Sequence, residues 1–118
     1  MKKKLVVFGY GQRGNIYADY AWSFPEEFEL LAIIETDKKR INLAKEKYAG
    51  VKIFTDYKDF LSEKLSADLV AVCTQDEQHK EHVVAMLSAG YDLLLEKPIA
   101  NNKEDCLAIY EASKKYNR

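Results

Sequence analysis

Val7-Phe8-Gly9-Tyr10-Gly11-Gln12-Arg13-Gly14 is the stretch on which the reading of the whole chain turns. The apolar run Leu5 to Phe8 before it reads as a buried strand. After it, Tyr17, Tyr20, Ala21 and Phe24 recur at helical spacing. Gly9, Gly11 and Gly14 therefore form a G-x-G-x-x-G set between a strand and a helix, the context that lifts the pattern above a chance match. Each glycine has an expected task. Gly9 permits the tight turn off the strand, Gly11 lets a pyrophosphate approach the backbone, and Gly14 lets the helix pack close to the sheet. The free N–H groups and positive dipole end of the helix would face the phosphates.

Outward from this loop, strands and helices alternate. Strands are expected at Lys4–Phe8, Phe28–Glu35, Val51–Phe54, Leu69–Cys73 and Tyr91–Leu95. Helices are expected over about Arg13–Phe24, from an Asp37 cap to Tyr48, around Tyr57–Leu65, from a Thr74/Glu77 capping box through Leu87, and over Lys103–Tyr116. Pro25, Gly50 and Gly90 punctuate them. The inward faces are expected at Ile41, Ala44 and Tyr48, at Val83, Met86 and Leu87, and at Cys106, Ile109, Tyr110 and Ser113. Five strand-helix repeats imply an α/β Rossmann fold: a doubly wound parallel sheet of order 3-2-1-4-5, helices on both faces. The 118 residues are expected to form one dinucleotide-binding domain, with no repeat, linker or low-complexity tract.

Charge excludes some classes of partner. A net charge of −1, with 31% charged residues, offers no electrostatic ground for nucleic acid or an anionic membrane. The apolar run behind Lys2-Lys3-Lys4 is too short for a signal-peptide core or a membrane span. Cys73 and Cys106 lie in apolar segments without C-x-x-C spacing and read as reduced, buried thiols of a cytoplasmic protein. His79 and His82 could bind a metal at i, i+3 spacing, but no third ligand with zinc spacing accompanies them, so no metal is expected. Tyr10, Tyr17, Tyr20 and Trp22 are expected in core packing rather than base stacking.

Two carboxylates stand where a dinucleotide would need them. Glu35, at the end of the second strand, can accept hydrogen bonds from the adenosine ribose and would repel a 2′-phosphate, favouring NAD over NADP. Lys38, Lys39 and Arg40 cut the other way, since cations tolerate that phosphate, although they also suit a solvated helix start. Glu96-Lys97-Pro98 leaves the fifth strand at the same edge. Glu96 could hold a ribose, and Lys97 could reach a substrate hydroxyl or carbonyl. Pro98 restricts Lys97 to an extended conformation.

The glycine loop, Glu35, Val72-Cys73-Thr74 through His79, and above all Ala89-Gly90-Tyr91-Asp92-Leu93-Leu94-Leu95-Glu96-Lys97-Pro98 resemble the Gfo/Idh/MocA oxidoreductases over essentially the whole chain. The resemblance implies an NAD(P)-dependent dehydrogenase acting on a sugar, inositol or diol. In it Gly9, Gly11, Gln12, Arg13 and Gly14 would hold the pyrophosphate and Glu35 the adenosine ribose. Thr74 would lie beside the nicotinamide half, Glu96 would contact its ribose, and Lys97 would be catalytic, in many family members through a cis bond to the following proline. Thr74-Gln75-Asp76 departs from the family's usual Thr-Pro-Asn. Family members are longer, two-domain proteins whose second domain supplies the substrate pocket and usually an Asp-x-x-x-His pair; neither histidine here fits that pair. The resemblance thus implies a cofactor domain, inactive alone, of a protein that is a homo-oligomer at full length. An NAD-dependent glycosidase working by transient oxidation and a non-catalytic NAD-binding module are the alternatives.

Overall fold

The apolar runs have no polar face to give to water, so they pair in the middle of a sheet covered on both sides. The computed structural model describes residues 2–96, 100 and 102–118, with Asp76 by its backbone alone. The strands are β1 (Lys3–Phe8), β2 (Phe28–Ile34), β3 (Lys52–Phe54), β4 (Leu69–Val72) and β5 (Leu93–Leu95). The helices are α1 (Gln12–Ser23), α2 (Lys38–Lys47), α3 (Tyr57–Ser62), α4 (His79–Ser88) and α5 (Lys103–Tyr116). All strand pairs are parallel and the order is β3-β2-β1-β4-β5, the expected doubly wound sheet.

Register places the site. Phe8 is level with Ile34 on one side and Val72 on the other, Ile34 with Phe54, and Val72 with Leu95. The residues that follow, Gly9, Glu35, Thr55, Cys73 and Glu96, therefore leave the sheet along a single carboxyl edge.

The strands' period of two divides the core. Val6, Phe8, Ile34 and Val72 pack on one face with Phe60, Met86 and Ile109. Leu5, Val7, Ile33 and Ala71 pack on the other with Ala18, Ala21, Ala44 and Tyr48. Asp37 caps α2 as expected, accepting from the N–H groups of Lys39 and Arg40 at 2.8 and 3.3 Å.

Three local expectations are corrected. The aromatic residues of α1 are not its buried face: Gly14, Ala18 and Ala21 are, and Tyr20 and Trp22 are exposed. Small residues let α1 lie close to the sheet, which leaves the large rings on its flank, where Tyr20 meets Phe24 and Phe28. On α5, Ile109 and Ala112 are buried while Tyr110 is 60% exposed. The helix after β4 is not opened by a Thr74/Glu77 box: a 3-10 turn over Asp76–Gln78 precedes α4, whose N-cap, Gln78, makes no side-chain cap bond. The Thr74 hydroxyl lies instead 3.0 Å from His82 Nδ1. Strands β2, β4 and β5 also end or begin short of their expected limits, so Glu35 and Cys73 stand just beyond the ladder.

Candidate functional site

The three glycines differ in what requires them. Gly9 has φ +97°, and a Cβ there would meet the Cys73 carbonyl carbon and oxygen at 2.9 Å. A Cβ on Gly14 would lie 1.9 Å from the Gly9 oxygen and 3.1 Å from Val7 Cγ1, so close packing of α1 on β1 demands glycine. Gly11 is unlike both. Its φ of −89° suits any residue, and the nearest atom to an added Cβ is the guanidinium end of Arg40, at 3.5 Å. Neither φ nor packing within the chain demands glycine here, although glycine is a favoured N-cap. The missing side chain also leaves the backbone open to close approach from outside.

Gly11 is also the N-cap of α1 and offers no side chain to the first-turn N–H groups. No acidic residue stands in that turn, and Gln12 and Arg13 are exposed beside it. The helix start is left as an anion-binding end with an arginine next to it. A cleft of about 750 Å³ opens in front, between Gly11, Glu35 and Arg40 on one wall and Thr74, Gln78 and His82 on the other. Its donors, glycine backbone and carboxylate fit the pyrophosphate and adenosine ribose of a dinucleotide.

Glu35 is 7% exposed and held by backbone. Its Oε1 accepts from the Tyr10 N–H at 2.6 Å, and its Oε2 from the Thr36 and Asp37 N–H groups, each at 3.0 Å. Arg40 Nη1 stands 3.9 Å from Oε1. Three N–H donors fix the plane of the carboxylate before any ligand arrives.

Tyr10 has a second task that the sequence reading missed. Its hydroxyl donates to Tyr48, 3.0 Å away, with Asn15 Oδ1 at the same distance. The Tyr48 hydroxyl in turn donates to Asp19, whose other oxygen takes Lys47 Nζ at 2.8 Å. Burial, then the bond to Asp19, pushes the Tyr48 phenol far above its ordinary range, so it remains a donor. This relay ties the glycine loop to α1 and α2.

Across the switch point, Thr74 links to α4 by two histidines: His79 Nε2 lies 2.9 Å from its carbonyl oxygen and His82 Nδ1 3.0 Å from its hydroxyl. The His82 ring stacks on Phe8 with centroids 4.4 Å apart, and burial lowers its pKa, so it is neutral at neutral pH. Among the described residues no group of three or more His, Cys, Asp or Glu could hold a metal ion.

At the far end, Glu96 is half-buried after β5, and the Tyr17 hydroxyl donates to its Oε1 at 2.5 Å. That bond, then burial, raises the Tyr17 pKa. Tyr17 thus has a polar partner at the carboxyl edge of the sheet as well as the packing expected of it. Cys73 is free but inert: burial first, then the charge of Glu96, pushes its thiol up to about 12. Lys97 and Pro98, with the expected cis bond, lie outside the described residues. No helix among the described residues is long and apolar enough to cross a membrane.

A doubly wound sheet with a glycine turn after β1 and a carboxylate after β2 defines the dinucleotide-binding class of α/β domains. Within that class the chain belongs to the Gfo/Idh/MocA oxidoreductase family, whose NAD-binding Rossmann fold is matched over residues 3–118. It is 28% identical over 116 residues, 98% of its length, to the inositol 2-dehydrogenase of Salmonella typhimurium, and covers 34% of that protein. It is 25% identical, again over 98% of its length, to the D-glucoside 3-dehydrogenase of Escherichia coli, covering 32% of it. In fold it is similar to the WlbA dehydrogenase of Chromobacterium violaceum, solved with NADH and UDP-GlcNAcA. There the TM-score is 0.90 at 24% identity, over 99% of this chain and 33% of that one. The chain spans about a third of the length of the curated relatives it matches.

Proposed function

We propose that this chain is the NAD-binding domain of a dehydrogenase that oxidises a ring hydroxyl of an inositol or sugar-type substrate. The observation that carries the reading is Gly11, a glycine that nothing inside the chain requires, at the open start of α1 and in front of the cleft. Gly9 and Gly14 shape the loop. The first-turn N–H groups, Gln12 and Arg13 bind the pyrophosphate, and Glu35 takes the adenosine ribose hydroxyls. Thr74, oriented by His82, borders the path to the nicotinamide, and Glu96 meets the nicotinamide ribose. Bound NAD would supply the hydride acceptor needed to turn a substrate carbinol into a carbonyl. Lys97, next to Glu96 in sequence, polarises the reacting oxygen or moves its proton.

The dehydrogenase names of the two curated relatives favour hydride transfer over a glycosidase or a non-catalytic module. Residues 1–118 form the cofactor domain, and a second domain completes the substrate pocket, in keeping with the length of those relatives. Free thiols accord with a cytoplasmic setting, and assembly of the longer protein as a homo-oligomer goes with the same reading. NAD is preferred, since a 2′-phosphate would meet the Glu35 carboxylate, with Arg40 offsetting part of the repulsion.

Calorimetric titration with NAD, NADP and S-adenosylmethionine tests this. NAD is expected to bind, NADP more weakly, and S-adenosylmethionine not at all; Gly11→Val should abolish binding while the domain stays folded, its unfolding midpoint lowered only by the roughly 1 kcal/mol that a poorer N-cap costs. Binding that survives Gly11→Val would remove the central support. In the longer protein, Lys97→Ala should stop turnover and spare NADH binding, whereas unchanged turnover would place the chemistry elsewhere.

A further inference from the structure

We propose that Tyr17 is a positioning residue that aims the Glu96 carboxylate at the nicotinamide half of the dinucleotide. The inference rests on the reading of the cleft as an NAD site and assigns a task within it to a side chain that the glycine motif does not contain.

The two groups come from opposite ends of the domain. Tyr17 lies one turn beyond Gly14 on α1, and Glu96 follows β5, 79 positions later. The Glu96 backbone is still tied to the sheet, its N–H donating to the Val72 oxygen at 3.2 Å. Its position is therefore fixed while its side chain has torsions to settle. The Tyr17 ring is partly buried against the cluster of Leu5, Val7 and Ala71, so the phenol has little room to swing. Its hydroxyl donates to Glu96 Oε1 at 2.5 Å, a short, charge-assisted bond. A carboxylate has two oxygens and about four acceptor sites, so one phenol fixes the plane without using up the acceptors.

The consequence is geometric. The helix whose first turn faces the pyrophosphate also carries, one turn further on, the donor that orients the ribose-binding carboxylate. Both contacts are referred to one rigid element, α1, and the nicotinamide ribose is presented at a set distance from the phosphates. A tyrosine serving only as packing would show no preference between the two halves of the ligand. A positioning tyrosine acts on the nicotinamide half alone, and only through Glu96.

Tyr17→Phe keeps the ring and removes the donor. Calorimetry of this chain with NADH and with ADP, which lacks both the nicotinamide and its ribose, separates the two cases. Expected is a loss of about fivefold to tenfold in NADH affinity, with ADP affinity and the unfolding midpoint unchanged. In a Glu96→Ala background, Tyr17→Phe should add no further loss. Equal losses for both ligands, an unchanged NADH affinity, or an additive loss in the Glu96→Ala background would each overturn the assignment. Failure of the wild-type chain to bind either ligand would instead overturn the NAD reading itself, and the assignment with it.

Discussion

Two carboxylates at the carboxyl edge of the sheet, Glu35 and Glu96, are held in different ways. Glu35 is buried under three backbone N–H donors at 2.6, 3.0 and 3.0 Å. Glu96 is half-buried, and the bond that directs it comes from one phenol at 2.5 Å. The first arrangement follows from the fold: once β1 and β2 are in register and the chain turns at Gly9, the Tyr10, Thr36 and Asp37 N–H groups converge on whatever stands after Ile34. The second depends on a particular side chain at position 17. On the proposed reading, the adenosine end is thus wired by main-chain N–H groups, which among the common residues only proline would remove, and the nicotinamide end by a side chain that any substitution can change.

The sharpest way to break this comparison is to remove each carboxylate in turn. Glu35→Ala leaves three backbone donors without their acceptor and should cost about 2–4 kcal/mol of stability. Glu96→Ala strips one partner from a part-exposed phenol whose hydroxyl water can reach without movement of the ring, and should cost less than about 1 kcal/mol. Urea unfolding of the two variants measures both; similar losses would mean that the two ends are built alike.

A smaller effect tests the relay behind the adenosine end. Tyr10→Phe retains the N–H that serves Glu35 and removes the hydroxyl bonded to Tyr48. It should cost about 1 kcal/mol in the same unfolding experiment and weaken ADP by about threefold, since the glycine loop loses its tie to α2. Tyr17→Phe should do neither. If Tyr10→Phe spares ADP, backbone donors alone order that end.

The smallest effect concerns the wall between the two ends. Burial depresses the pKa of folded His82 below the ordinary 6.5. As pH falls through about 6.5 the unfolded chain takes up a proton that the folded chain refuses. The stabilisation is therefore present above the unfolded pKa and is lost as pH falls toward the folded one. Unfolding midpoints between pH 7 and pH 5 should decline, and His82→Leu should flatten its share of that decline. A decline unchanged by the substitution would assign it to other groups and leave the Thr74–His82 bond without a pH signature.

Much of this architecture was legible in the order of residues. The five apolar runs and Asp37 identified β1 to β5 and the start of α2, because strand alternation and caps are local signals. Glu35, which lines the cleft, was legible as a candidate site residue because its distance from the glycine motif follows from the length of one βαβ unit. The errors fell where local pattern and packing conflict. Tyr20 and Tyr110 carry helical periodicity yet lie outside, since Ala18, Ala21, Ile109 and Ala112 supply the faces the sheet can accept. Thr74 and Glu77 have capping-box spacing, but a 3-10 turn and two buried histidines claim that segment.

By itself, then, the sequence determined the alternation, the doubly wound topology and the glycine turn, all of which rest on periods of two and 3.6 residues and on short motifs. It also placed Glu35 and Glu96 at strand ends. Only the tertiary structure decided who holds them: the Tyr10 N–H at Glu35, Tyr48 and Asp19 behind Tyr10, His82 on Thr74, and Tyr17 on Glu96. Most of these partners stand tens of residues apart, and even the nearer pair, Thr74 and His82, spans a turn and the start of a helix. Each meeting depends on the register of neighbouring strands and on the side of the sheet where each helix lies. No spacing within a single segment encodes either.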